Sequence, residues 1–86
     1  MSANKEEEQR IISVFVERLQ TLRNQKGFSI RKLGEASNIA YSQISLYLKG
    51  ERLPNVVSLA HLAKALGVST DYLVGVSDTI DKTESS

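Results

Sequence analysis

Between Tyr41 and Lys49 the chain places Ser42, Gln43, Ser45 and Leu46 where a helix would turn them away from its apolar side. Hydroxyl and amide groups donate and accept hydrogen bonds to base edges or phosphates, and an aliphatic side chain meets a thymine methyl. Such a face suits a groove. A helix with a merely short, polar outer face has the same pattern, and the helical wheel by itself leaves both readings open. Covalent chemistry has no support. No nucleophile stands beside a base, and no Gly-rich phosphate loop is present. One His and no Cys cannot build a zinc cluster. No enzyme activity, cofactor or metal is expected.

With about 100° per residue and Ile44 at the centre of the buried side, Ala40, Tyr41, Tyr47 and Leu48 fall within about 60° of it. Ser42, Ser45, Leu46 and Lys49 lie at least about 100° away, and Gln43 sits on the opposite flank.

Formal net charge is +1 over 86 residues, but it is unevenly distributed. Residues 1–10 carry Lys5 and Arg10 against Glu6, Glu7 and Glu8. Residues 76–86 carry Lys82 against Asp78, Asp81 and Glu84. The stretch between holds 8 basic and 4 acidic side chains. A basic centre with acidic ends points to a polyanionic partner, although scattered surface charge has the same count.

The elements that must position these residues are helices. Ile12, Phe15, Leu19 and Leu22 make one apolar stripe, widened by Val16, on a first helix that starts within residues 5–11 and ends at Lys26. Gly27 suits its C-terminal cap. Ser29 caps a second helix over 30 to about 37, with Leu33 and Ala36 inward. Asn38 tolerates a left-handed backbone, so the chain turns there. A third helix covers about 40–49 and stops at Gly50. Asn55 caps a fourth from Val56 to Leu66, with Leu59, Leu62, Ala63 and Leu66 inward and Gly67 as its stop. Ser69 caps a last helix ending at Gly75, and Asp71 steadies its start. His61 is expected at the surface. No strand pattern or internal repeat appears. The expectation is an all-α fold of five helices. The short link between helices two and three favours a steep helix-turn-helix crossing. Domain organisation reads as an acidic, partly helical extension over 1–10, one domain over 11–75, and a flexible tail over 76–86. No apolar run reaches the ~18 residues of a membrane span, and no secretory leader is seen. A cytoplasmic protein with no membrane partner is expected.

The segment RLQTLRNQKGFSIRKLGEASNIAYSQISLYLKGERLPNVVSLAHLAKALGVSTDYLVG, from Arg18 to Gly75, resembles the lambda-repressor-like helix-turn-helix family, which includes Cro, the phage repressors and regulators of the xenobiotic-response-element type. The matching pieces are Arg18, Leu19, Leu22, Arg23 and Lys26-Gly27, then Ser29 and Leu33. Ile39, Ser42, Ile44, Ser45 and Tyr47 follow, and "KGERLP" and "LAKALGVSTDYLVG" complete the pattern. The resemblance implies a compact DNA-binding domain, dimeric on a near-palindromic operator, with helix three in the major groove. Its base-reading positions fall on Tyr41, Ser42, Ser45 and Leu46. Its backbone-contacting positions fall on Gln43, on Lys49 and Arg52, and on the start of helix two at Ser29, Arg31 and Lys32.

Several residues depart from the family pattern. Ile30 stands where Gln is frequent. Tyr41 and Leu46 replace the usual bidentate readers, which implies an A·T-biased or weakly discriminating site with more shape readout. Leu48 stands where a Glu pairs with the helix-one Arg. Arg23 is therefore left to Glu35, a backbone carbonyl, solvent or a phosphate.

The expected function is a sequence-specific double-stranded DNA-binding regulator, a repressor acting as a homodimer and associated with the nucleoid. Two other functions stay open: an antitoxin that binds its own promoter and a toxin, and a protein-interaction module without DNA binding. Two patches stay open as the dimer surface: Ile11, Ile12 and Phe15 on the first helix, or Tyr72 and Val76 at the last.

Overall fold

The computed structural model describes residues 5–78. They form α1 (Lys5–Lys26), α2 (Ile30–Ser37), α3 (Tyr41–Leu48), α4 (Val56–Leu66) and α5 (Thr70–Val74). Local chemistry sets these boundaries. Ser29 Oγ accepts from the Lys32 N–H at 3.0 Å, Asn55 Oδ1 from the Ser58 N–H at 2.8 Å, and Ser69 Oγ from the Tyr72 N–H at 3.0 Å. Each bond satisfies a donor that the first turn of a helix leaves without a partner. At the other ends, Gly27, Gly67 and Gly75 adopt the left-handed backbone and so does Asn38, with φ 59° and ψ 43°. The Ile39 N–H then returns to the Gly34 carbonyl at 2.9 Å, which closes α2 and turns the chain into α3.

The core lies where the five helices meet. Phe15 and Leu19 of α1, Leu33 of α2, Ile44 of α3, Leu62 of α4 and Leu73 of α5 are fully buried. The rings of Phe15 and Tyr47 meet edge to face, with centroids 6.4 Å apart. α2 packs on α3 and α4, and α1 spans α3, α4 and α5. Ile44 therefore anchors α3 from below, as the helical wheel requires.

Four expectations need correction. Ala36 is exposed, at the rim of a shallow groove between α2 and α4. The buried place goes to Ser37, one turn on from Leu33, whose hydroxyl donates to the Leu33 carbonyl at 2.6 Å. That bond lets a polar residue sit inside without an unmet donor. Tyr41 was placed near the buried side by the wheel, yet it is 54 % exposed. It is the first helical residue of α3, and its ring turns out towards Arg31. Ala40 precedes the helix as its N-cap and is also exposed. Phe15 is 1 % exposed, so it cannot belong to a dimer surface.

Gly34 was not singled out by the sequence reading. A Cβ built on it would lie 2.8 Å from the Ile39 carbonyl oxygen and 3.6 Å from the Tyr41 Cα. The helix-turn-helix crossing is thus tight enough to exclude a side chain at this point. Both sides of the close contact are backbone, so neither yields easily.

At the end of α5 the Val76 N–H donates to the Asp71 carbonyl at 3.0 Å, and Arg18 holds Ser77 and Asp78. Most of the tail expected over 76–86, from residue 79 onward, lies outside the described residues. No helix among the described residues is long and apolar enough to cross a membrane.

Candidate nucleic-acid interface

α3 shows its outward side as a graded surface. Ser42 and Lys49 are exposed, while Gln43, Ser45 and Leu46 are half-buried. Ile44 and Tyr47 are buried on the opposite side. The half-burial of Leu46 matters, because it sets an aliphatic group into a polar surface rather than projecting it into water. Leu48 is also half-buried and packs at the edge of the core.

The start of α2 lies close to the start of α3. The Arg31 guanidinium carbon is 5.6 Å from the centre of the Tyr41 ring. Both residues line a cleft of about 380 Å³ with Gly34, Glu35 and Ile39. Ser29 and Lys32 are exposed beside them. The Ser29 oxygen is engaged in capping, which leaves its hydroxyl proton available to donate. Arg52 is exposed on the loop that follows α3, as is Lys49 at the end of the helix.

Internal hydrogen bonds and ion pairs set two arginines apart from the cations near α2 and α3. Among the described residues, Arg31, Lys32, Lys49 and Arg52 form no ion pair, since the one ion pair present joins Arg18 to Asp78. Arg18 and Arg23 are occupied internally. The first donates to the Tyr72 carbonyl at 2.7 Å and the Ser77 carbonyl at 2.8 Å and lies over the Tyr72 ring. The second donates to the Phe28 carbonyl at 2.7 Å and to Gln20 Oε1 at 2.8 and 3.2 Å. Of the acceptors open to Arg23 from sequence, the backbone carbonyl is the one used. Ile30, the departure at the start of α2, packs partly buried against the core. His61 is exposed on α4, in the groove that Ala36 borders.

A closely packed pair of helices, a polar outward face on the second, and cations without ion pairs make an arrangement suited to a nucleic-acid groove. The helix-turn-helix family model matches residues 19–73. The chain belongs to this family, of Cro and phage-repressor type. Its relatives are transcriptional regulators. The chain is 33 % identical over 67 residues to the HTH-type transcriptional regulator ImmR of Bacillus subtilis (strain 168), covering 78 % of this chain and 53 % of that protein. It is 34 % identical over 61 residues to the SPbeta prophage-derived uncharacterized HTH-type transcriptional regulator YonR of the same organism, covering 71 % and 56 %. The chain thus spans about half the length of the curated relatives it matches. Among solved structures it resembles the restriction-modification controller protein C.AhdI from Aeromonas hydrophila, with a TM-score of 0.68 and 31 % identity, covering 72 % of this chain and 94 % of that one. The chain therefore shares its helix-turn-helix domain with proteins named as transcriptional regulators, one of them prophage-derived.

Sequence reasoning did not anticipate two features of this region. Gly34 carried a signal, a glycine inside a helix, but its reason lies in the backbone of α3. The exposure of Leu53, Val56 and Val57 at the start of α4 was equally unmarked.

Proposed function

We propose that this chain is a sequence-specific binder of double-stranded DNA that represses transcription as a homodimer on a near-palindromic operator, in the cytoplasm with the nucleoid. The observation that carries the reading is the polarity of α3: Ile44 is fully buried while Ser42 on the far side is exposed. In this reading Tyr41, Ser42, Ser45 and Leu46 face base edges, and Leu46 meets a thymine methyl. Ser29, Lys32, Gln43, Lys49 and Arg52 hold phosphates, helped by the free N–H groups at the start of α2.

The homodimer reading draws support from α1 and α5. Ile11 and Val76, from the two patches the sequence left open, line one cleft together with Val14 and Val74. Ile11 and Val76 thus share one surface. Ile11 is 40 % exposed and Val76 69 %. Glu7, Arg10, Arg18 and Asp78 line the same cleft, so exposed apolar side chains flanked by charges of both signs are available to a two-fold contact. Substituting Ile11 with Asp is expected to shift the protein to a monomer in sedimentation and to lengthen no helix.

Selection from a random duplex library, followed by sequencing, tests the whole reading. The expected result is an enriched motif of two related half-sites about one helical turn apart, bound with steep salt dependence. A library that shows no enrichment at low salt contradicts sequence-specific binding.

A further inference from the structure

We infer that Arg31, carried on the ring of Tyr41, reads a guanine in the major groove; the inference rests on the DNA-binding function proposed above. The family resemblance places Arg31 at the phosphate backbone and leaves α3 without a bidentate reader. The geometry points elsewhere. The Arg31 guanidinium carbon lies 5.6 Å from the Tyr41 ring centre, within the ~6 Å reach of a cation–π contact. Glu35 stands one helical turn along from Arg31, at the spacing where an ion pair forms readily, and it lines the same cleft. No such pair is made, and among the described residues the guanidinium has no hydrogen bond either. Arg31 leans across to α3 instead.

A cation–π contact uses none of the guanidinium's N–H donors, which stay open for another partner. That planar fork matches the O6 and N7 acceptors of guanine. Its support is the first residue of α3, the end of a recognition helix that meets base edges in complexes of this architecture. A phosphate accepts the same fork, so what favours guanine is the place of its support, at the end of α3 that enters the groove. Arg31 would thus supply from α2 the bidentate reading that Ser42, Ser45 and Leu46 do not provide, adding one guanine to an otherwise A·T-biased half-site.

The test is parallel selection from one random duplex library with the parent, Arg31→Lys, Arg31→Ala, Tyr41→Phe and Tyr41→Ala. Both positions are exposed, so these variants retain the core. The parent is expected to enrich a guanine at one position of each half-site. Arg31→Lys and Arg31→Ala should each reduce that preference by roughly tenfold, with the other positions unchanged. Tyr41→Phe should keep it and Tyr41→Ala should weaken it. If Arg31→Ala enriches the same guanine as the parent, or weakens all sequences equally, the assignment to guanine is overturned and DNA binding stands. A parent that enriches a motif without that guanine also overturns the assignment alone. A parent that enriches no duplex overturns both.

Discussion

Arg18 and Arg23 on α1 differ from Arg31 and Arg52 on the α2–α3 side in one respect, which is where their donors go. The α1 pair points its N–H groups at carbonyls of the protein's own backbone. The others have no carboxylate partner among the described residues. Both kinds count equally in a net charge, yet only the second kind has its hydrogen-bond donors free to meet DNA. Charge reports on a nucleic-acid partner once the internally engaged cations are set aside.

That contrast can be broken from either side. The largest effect on stability is expected from Arg18→Ala, which deletes two charge-assisted bonds to carbonyls and the stack on Tyr72. A loss of about 2–3 kcal/mol is expected in denaturant unfolding, with operator affinity unchanged under conditions where the variant is folded. Gly34→Ala comes next. Overpacking against the Ile39 carbonyl costs about 1–3 kcal/mol, and the better helix propensity of Ala returns nearly 1 of it. A net loss of about 1 kcal/mol is expected, and because α3 must shift, affinity for the operator falls with it. Lys49→Ala should leave stability within about 0.5 kcal/mol while weakening every duplex alike and lowering the magnitude of the salt slope by about 1. Asp78→Ala should do least. Its side chain is 92 % exposed, so the ion pair with Arg18 is screened, and a change of about 0.5 kcal/mol or less is expected in unfolding.

Elements with local signals were legible from the residues alone. Ser29, Asn55 and Ser69 cap where their side chains reach back to the first turn, and Gly27, Gly67, Gly75 and Asn38 end helices by taking a backbone that other residues resist. Each of these depends on a handful of neighbours in the chain. What escaped depends on a second helix. Ser37 takes the buried place while Ala36 stands at the rim of the groove against α4, and the Ser37 hydroxyl finds its partner on its own helix. Gly34 is fixed by the approach of α3, and the Tyr41 ring by Arg31 across the turn. At the candidate interface the wheel separated Ile44 from Ser42. It did not anticipate the half-burial of Leu46, because partial burial is set by the flanking helix rather than by periodicity.

The central claim is that the outward side of α3 reads sequence while the cations at its end only hold the duplex. Measuring the affinity ratio between the enriched operator and a scrambled duplex, for the parent, Ser42→Ala and Lys49→Ala, tests it most directly. Ser42→Ala should narrow the ratio, whereas Lys49→Ala should weaken both duplexes and preserve it. Equal ratios for the parent and Ser42→Ala, or a ratio that collapses only with Lys49→Ala, would contradict the account.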